Sequence, residues 1–420
     1  MVLALGIDFG TSGARAIALD ASGCVRAERQ RSLAQADAPA AWRATLFALV
    51  GDLPAPVRAE LGAIAIDGTS GTVLLCDARG EPLAGPLLYD DRRAEPAVEA
   101  IQAAAPPQHV AATATSSLAK LCWWQQQGWA RQATYLLHQA DWLAALLHGQ
   151  WGISDYHNAL KLGYDVAALR YPDWLASLSP WELLPQVVAP GTPVAPLDPA
   201  VADRLGCPRA CQVCAGTTDS IAAFLASGAR LPEEGVTSLG STLALKLLSE
   251  QRVEDARYGI YSHRLGDLWL TGGASNVGGA VLRHYFSDAE LAQYSARIDP
   301  AQESPLDYYP LLSPGERFPV NDPDKEPQLE PQPADPVAFL HGLLESLARI
   351  EASGYRKLQA LGASPLARVY TAGGGAQNPQ WRAIRQRQLG VPVAPSQHAQ
   401  AAYGAARLAQ QGAGIPQPAD

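Results

Sequence analysis

The sequence predicts a two-domain α/β protein, and two similar hairpins are the main evidence. Residues 3–19 alternate apolar side chains around a Gly-Thr-Ser-Gly turn at residues 10–13, as expected for paired strands. Residues 236–248 repeat the pattern around a Gly-Ser-Thr turn at residues 240–242. The chain has 420 residues and is 48% hydrophobic, which suffices for two cores. One hairpin in each half indicates an internal duplication with a ligand between the halves.

The elements after the first hairpin alternate between strand and helix. A helix is predicted over residues 41–53, and a further strand, glycine turn and strand over residues 62–76. Helical spacing dominates residues 92–150, and residues 212–228 read as strand, turn and helix. A second unit begins near Gly228, so we predict domains over residues 1–227 and 228–399.

The second unit contains a long predicted helix over residues 336–361 and a strand over 367–375. Another helix begins after Asn378, because Asn at the N-cap followed by Pro is a strong start signal. An Ala-rich helix from Gln400 ends the pattern.

Composition narrows the classes of function. The formal net charge of −9 and the low charged fraction of 17% argue against a nucleic-acid partner. No apolar run reaches the length of a membrane span, and the first residues lack a basic secretory n-region. We therefore expect a cytoplasmic protein without a membrane partner. The sequence gives no indication of oligomeric state.

Three cysteines allow a different chemistry. Cys207, Cys211 and Cys214 have a Cx3Cx2C spacing similar to that of the iron–sulfur loop of radical SAM enzymes. The alternative is that they are small core residues, since the segment from Cys211 reads as a buried strand. No suitable fourth ligand lies close by in the sequence.

Asp8 is the first residue to indicate function. It interrupts the apolar strand with a charge, which is costly to bury unless a cation or hydrogen bonds compensate it. The following Gly10, Thr11 and Ser12 offer backbone N–H groups and hydroxyls that suit phosphate. The hairpin therefore predicts a phosphate cradle with an acidic residue placed for Mg²⁺, or else an ordinary hairpin with a surface Asp. Neither hairpin has the P-loop pattern.

Five motifs together resemble those of the FGGY carbohydrate kinases: GIDFGTSGARAIALD, GTTDSIAAF, SLGSTLALK, GGASNVGG and YTAGGGAQNPQW. They occur in the order of that family. The strings DFGTSGARAIA and AIDGTSGTVLLCD are most similar to short cyanobacterial and plant-type D-ribulose kinases. The resemblance implies two actin-like, ribonuclease H-like domains of the sugar kinase, heat-shock ATPase and actin superfamily, with an interdomain cleft. It also implies that the terminal helix, residues 400–420, joins the first domain.

The resemblance assigns roles in transfer of phosphate from ATP. Asp8 matches the aspartate that holds Mg²⁺, and Gly10, Thr11 and Ser12 would face the β- and γ-phosphates. Asp219 matches the catalytic base that accepts the proton of the sugar hydroxyl. The alternative for Asp219 is a helix N-cap.

The remaining nucleotide contacts fall in the second half. The second phosphate turn comprises Gly240, Ser241 and Thr242. Gly374 and Gly375 would let a purine approach the backbone, and Asn378 would hydrogen-bond it. Trp381 lies one helical turn beyond Asn378 and would stack on the base, or else pack in the core.

The sugar contacts are predicted at Ser70, with Asp8, Ser12 and Asp219. Xylulose kinases carry a Met-His pair in the turn where this chain has small hydroxyl residues, which suit a polyol. Two further groups stay undecided: Asp90, Asp91 and Arg92, in a stretch similar to a family motif, and His157 with Asn158, which line the pocket or lie in a surface loop.

These observations predict an ATP- and Mg²⁺-dependent kinase that converts D-ribulose to D-ribulose 5-phosphate. The alternatives are a kinase for another polyol (D-xylulose, L-ribulose, ribitol or glycerol) and a non-catalytic actin-like ATP-binding module. Because a pure switch has no use for a base facing a sugar, Asp219 favours the kinase.

Overall fold

The structure is a computed structural model that describes residues 2–33, 38–178 and 181–415. It divides into two compact units. The first comprises the chain up to Ala226 together with the residues from Gln400 onward, and the second comprises Ser227–Ala399. No helix in the described part of the chain is both long enough and apolar enough to cross a lipid bilayer.

The described residues form strands and α-helices in alternation. The strands are β1 (Leu3–Phe9), β2 (Gly13–Leu19), β3 (Val25–Ser32), β4 (Leu61–Gly68), β5 (Val73–Cys76), β6 (Tyr135–His138), β7 (Ile153–Asp155), β8 (Gln186–Val188), β9 (Pro193–Pro196), β10 (Gln212–Thr218), β11 (Glu234–Leu239), β12 (Leu243–Ser249), β13 (Tyr261–Leu265), β14 (Leu268–Ser275), β15 (Arg368–Ala372) and β16 (Val393–Pro395). The helices are α1 (Pro39–Gly51), α2 (Ala55–Ala59), α3 (Val98–Ala104), α4 (Ser117–Gln126), α5 (Gln139–His148), α6 (Tyr156–Ala159), α7 (Pro199–Leu205), α8 (Asp219–Ala226), α9 (Gly279–Tyr285), α10 (Asp288–Ser295), α11 (Pro336–Ala360), α12 (Pro379–Leu389) and α13 (Ala401–Gly412).

The first unit is built on a six-stranded sheet in the order β3-β2-β1-β4-β10-β9. β1 pairs antiparallel with β2 as the predicted hairpin, whereas β1, β4 and β10 are mutually parallel. These three strands are buried along almost their whole length, as is typical of parallel strands covered on both faces. Their carboxyl ends therefore meet at one edge of the sheet.

The terminal helix α13 packs on β1 and α8 of the first unit. Two glycines permit this close approach. A side chain at Gly6 would overlap the backbone of Ala402, and one at Gly404 would overlap the backbone of Ala222. Gln410 adds a hydrogen bond of 2.6 Å to the carbonyl oxygen of Asp20.

The second unit repeats the arrangement of the first. Its sheet has the order β13-β14-β12-β11-β15-β16. β11 and β12 form the second predicted hairpin, and β11 pairs in parallel with β15, which in turn pairs in parallel with β16. The succession β14-β12-β11-β15-β16 thus has the order and directions of β3-β2-β1-β4-β10 in the first unit. The internal duplication inferred from the two hairpins extends to five strands.

The helix predictions agree closely with the structure. α11 spans Pro336–Ala360, and its apolar face forms the core of the second unit with the sheet. α12 begins after Asn378, whose side-chain oxygen accepts the N–H of Trp381 at 3.0 Å. One boundary differs, because no separate turn lies between β10 and α8 and the helix starts at Asp219 itself.

The three closely spaced cysteines are buried in the first unit. Burial raises the pKa of Cys207 to about 11 and that of Cys214 to about 12, so their thiols are protonated at neutral pH. Within the described ranges, no three or more His, Cys, Asp or Glu side chains converge as a metal-binding group. The structure therefore favours core packing for these cysteines.

Candidate active site

Three carboxylates lie at the carboxyl ends of the three parallel strands of the first unit. Asp8, near the end of β1, stands opposite Asp67 of β4 in the strand register. Thr217 of β10 stands opposite Asp67 on its other side, and Asp219 follows two residues later as the first residue of α8. The sheet thus brings together the two predicted catalytic residues, Asp8 and Asp219, with Asp67 between them in the strand order.

Asp67 is a functional candidate that the sequence reasoning missed. Its side chain is 0% exposed, and neither carboxyl oxygen accepts a hydrogen bond from an N–H or O–H donor of the described residues. The group within hydrogen-bonding reach is the carboxyl of Asp8. Burial raises the pKa of Asp67 well above its usual range, and the charges of Asp8 and Asp219 raise it further.

The pKa of Asp8 is raised less strongly than that of Asp67. Burial raises its pKa, and contact with Asp67 and the positive charge of Arg15 partly oppose that rise. Arg15 stands opposite Asp8 on β2, but its guanidinium bonds to Gln30 at 2.7 Å and to Glu28 at 3.3 Å. Two abutting carboxyls hold a proton between them unless a cation neutralises the pair.

Asp219 is half-buried and accepts the N–H of Ser220 at 2.6 Å. Lys161, which the sequence reasoning also missed, lies near enough to this carboxylate for the two charges to attract each other. Burial lowers the pKa of Lys161, and attraction to Asp219 opposes that shift. A lysine within the apolar segment 159–162 was the available signal for this residue.

The turn between β1 and β2 presents its polar groups outward. Gly10 donates its N–H to the carbonyl oxygen of Gly13 at 3.0 Å, which closes the turn. Thr11 and Ser12 are exposed, and a Cβ atom at Gly10 would lie 3.5 Å from the carbonyl oxygen of Gly13. This geometry fits the predicted phosphate contact, which stays a prediction.

The turn after β4 holds Ser70, the predicted sugar contact. The polar groups of Thr69 are hydrogen-bonded within the protein. Its hydroxyl lies 2.6 Å from that of Thr72, and its N–H donates to the side-chain oxygen of Gln139 at 3.1 Å. Ser70 itself is half-buried. Lys161 reaches this turn as well, because its stem runs beside Gly71.

Lys120 of α4 supports the same turn from within the core. Its ammonium is fully buried and donates to the carbonyl oxygens of Gly71 at 2.7 Å and Leu88 at 2.5 Å. Burial lowers the pKa of Lys120 to about 7. This lysine therefore ties the Ser70 turn to the segment that precedes Asp90.

The acidic and basic residues of that segment pair with one another. Asp91 binds Arg93 at 2.5 Å and Arg92 binds Glu95 at 3.1 Å, while Asp90 is exposed.

His157 and Asn158 are each 1% exposed, so the surface-loop alternative is wrong for both. The Nδ1 atom of His157 lies 2.7 Å from the hydroxyl of Thr217 on β10, and Asn158 donates to Asp155 at 2.6 Å. Both side chains are used to support the end of β10 and the start of α6.

In the second unit, the predicted phosphate turn is exposed. Ser241 accepts a hydrogen bond from Arg283 at 3.0 Å, and a Cβ atom at Gly240 would lie 3.7 Å from the carbonyl oxygen of Thr242. Thr242 is also exposed. An arginine at the turn adds the positive charge that a phosphate contact needs, and the sequence reasoning did not include it.

The residues predicted to contact adenine differ in how exposed they are and in what surrounds them. Gly374 is exposed with open space beside it, whereas a side chain at Gly375 would overlap Leu239 and Trp381. Asn378 caps α12 and also donates to Ser295 at 2.8 Å. Trp381 is 3% exposed and lies in the core of the second unit, which favours the core alternative over stacking on a base.

The repeated sheets and the carboxylate edge define an α/β protein of the actin-like ATPase class. Comparison with known proteins gives the family. Residues 3–226 match the N-terminal domain of the FGGY family of carbohydrate kinases, and residues 235–412 match the C-terminal domain of that family. The chain belongs to the FGGY family of carbohydrate kinases, and the predicted fold class is confirmed.

Individual relatives are more distant. The chain is 26% identical to a xylulose kinase from Escherichia coli (strain K12) over 445 aligned residues, covering 97% of this chain and 89% of that protein. A crystal structure of a xyloylose kinase from Brucella ovis superposes with a TM-score of 0.84 at 23% identity, covering 100% of this chain and 93% of the other. A Plasmodium falciparum glycerol kinase with ADP gives 0.83 at 16% identity, with coverage of 100% and 93%. The two structural likenesses show the shared fold.

Proposed function

We propose that this protein transfers the γ-phosphate of ATP to the primary 5-hydroxyl of D-ribulose, forming D-ribulose 5-phosphate. The observation that carries the proposal is that Asp8, Asp67 and Asp219 lie together at the carboxyl ends of β1, β4 and β10, where the Ser70 turn follows β4. A carboxylate and hydroxyl donors near one another are what a polyol substrate needs at the reacting end.

Asp219 acts as the general base in this proposal. As the 5-oxygen of the sugar bonds to the γ-phosphorus, its proton passes to Asp219 and the bond from the γ-phosphorus to the leaving oxygen of ADP breaks. Ser70 and Ser12 hydrogen-bond the sugar hydroxyls and orient the 5-hydroxyl toward Asp219.

ATP is the phosphoryl donor and Mg²⁺ is its cofactor. Asp8 holds the ion, since carboxylate oxygen is the ligand that Mg²⁺ prefers and Asp8 belongs to an uncompensated carboxyl pair. Bound Mg²⁺ neutralises charge on the β- and γ-phosphates. Each glycine turn, residues 10–12 in the first unit and residues 240–242 in the second, offers hydrogen-bond donors of the kind that phosphate oxygens accept.

The adenine end rests on the segment after β15. Gly374 offers an open backbone to the purine, while Asn378 and Trp381 support this segment through the N-cap and the core. This assignment changes Trp381 from a stacking partner to a packing residue.

D-Ribulose and D-xylulose differ in the configuration of one hydroxyl-bearing carbon, C3. The small hydroxyl residues Thr69 and Ser70 support D-ribulose, by the resemblance of this turn to ribulose-type kinases. D-Xylulose is the second candidate, because the E. coli relative named for it is 26% identical.

A panel of sugars tests the proposal. Full-length protein is assayed by coupled ADP release with D-ribulose, D-xylulose, L-ribulose, ribitol and glycerol, with the phosphorylated position identified by NMR. We expect kcat/KM for D-ribulose to exceed that of every other sugar by roughly tenfold or more. A higher value for D-xylulose would assign the second candidate, and ATP turnover independent of any sugar would refute the kinase proposal.

A further inference from the structure

Asp67 has an environment that the chemistry assigned so far does not explain. It is fully buried, its two oxygens accept no hydrogen bond from a donor of the described residues, and its carboxyl abuts that of Asp8. An isolated buried carboxylate costs several kcal/mol unless something compensates it. A folded protein retains such a carboxyl only where a bound ligand or ion compensates its charge, or where it stays protonated.

The two neighbouring cationic side chains interact with groups other than Asp67. Arg15 bonds to β3 through Gln30 and Glu28, and the charge of Lys161 interacts with that of Asp219. Asp67 is also rigidly held, because it lies within the buried strand β4 between β1 and β10. Its carboxyl is therefore fixed beside Asp8 at the edge where the phosphate turn, residues 10–13, begins.

We infer that Asp67 and Asp8 together form the anchor for the Mg²⁺ of Mg-ATP, with Asp67 binding the ion or one of its water ligands. This inference rests on the proposed kinase function. Mg²⁺ usually keeps several waters and takes only one or two carboxylates, so two aspartates plus phosphate oxygens make a sufficient set. The described residues offer no larger cage, which agrees with this low number of protein ligands.

Metal binding measured directly tests the inference. Mn²⁺ serves as the probe, and the fraction of free Mn²⁺ is followed by EPR during titration of full-length protein, alone and with the ATP analogue AMP-PNP. The variants are Asp67→Asn, which keeps the shape of the side chain, and Asp67→Ser, which keeps a smaller polar group. Asp77→Asn is the matched control, because Asp77 is a turn aspartate of the same unit whose hydrogen bonds to Arg79 and Glu81 an Asn oxygen can still accept.

We expect both Asp67 variants to bind Mn²⁺ about 10- to 100-fold more weakly than the wild type. Asp77→Asn should bind Mn²⁺ like the wild type. The melting temperature of metal-free Asp67→Asn should equal or exceed that of the wild type, because the change removes repulsion between carboxyls. Unchanged Mn²⁺ affinity in either folded Asp67 variant would overturn the inference and leave a structural acid sharing a proton with Asp8.

The same preparations separate this inference from the proposed function. If the wild type phosphorylates a sugar and Asp67→Asn keeps its Mn²⁺ affinity, the anchor role fails and the kinase proposal stands. If the wild type phosphorylates none of the sugars while Asp67→Asn loses Mn²⁺ affinity, the kinase proposal fails and the aspartate pair is supported as a metal site.

Discussion

Replacing Asp219 by Asn is the sharpest perturbation of the proposed chemistry. The Asn oxygen can still accept the N–H of Ser220, now bonded at 2.6 Å, so the start of α8 is preserved. The change removes the proton acceptor and the negative charge that attracts Lys161. Loss of a general base lowers kcat by about 10²- to 10⁴-fold, equivalent to about 3–5 kcal/mol of activation free energy.

The assay must separate chemistry from binding and folding. Sugar-dependent ADP release gives kcat, calorimetry gives the dissociation constant for ATP, and thermal unfolding reports the fold of the same preparations. Asp198→Asn is the matched control, because Asp198 also begins a helix and accepts N–H groups from Ala200 and Val201. We expect unchanged ATP affinity in Asp219→Asn and unchanged kcat in Asp198→Asn. Near-normal kcat in Asp219→Asn would refute its role as the base.

Three further predictions concern stability. Trp381→Ala should lower the free energy of unfolding, measured by urea denaturation, by about 3–5 kcal/mol. A higher KM for ATP without this loss of stability would instead indicate that Trp381 contacts the adenine. Arg385→Met should cost about 3–5 kcal/mol, because it leaves Glu351, bonded to Arg385 at 2.6 Å, buried and unpaired; an unchanged denaturation midpoint would contradict this. Burial lowers the pKa of His148 to about 4 in the folded protein. Between about pH 6.5 and pH 4, His148 therefore binds a proton in the unfolded chain but not in the folded protein. The free energy of unfolding should fall by about 3 kcal/mol as the pH is lowered through that range. His148→Gln should abolish this part of the pH dependence, and an unchanged slope would refute the assignment.

The hairpins and the main helices could be predicted because their signals are local. Alternating apolar residues predicted β1 and β2, and the Asn378-Pro379 pair predicted the start of α12. The site residues on these elements followed from motifs of contiguous residues. Asp219 is an example, since its motif places it at the junction of β10 and α8.

The residues that were missed depend on contacts between distant segments. Asp67 stands beside Asp8 only because β1 and β4 pair in parallel with this register, and a shift of one residue would turn Asp67 to the other face. Lys161 and Asp219 are 58 positions apart in the sequence, and the fold brings their charges near enough to interact. Helical spacing likewise placed Trp381 on the same face as Asn378, but it did not reveal that the face points into the core.

The edge of the first sheet also carries an electrostatic imbalance that has a consequence for stability. Three carboxylates end neighbouring strands. Burial raises the pKa of Asp67 and of Asp8, and the charges of Asp8 and Asp219 raise that of Asp67 further. The fold therefore bears a cost at this edge when no cation is bound, and a cation that binds only the folded form lowers that cost. The same arrangement that weakens the ligand-free edge provides the affinity for a divalent ion, because relief of carboxylate repulsion adds to the free energy of binding. Stability and metal affinity should consequently change in opposite directions when Asp67 is neutralised, a pattern that a purely structural aspartate would not produce.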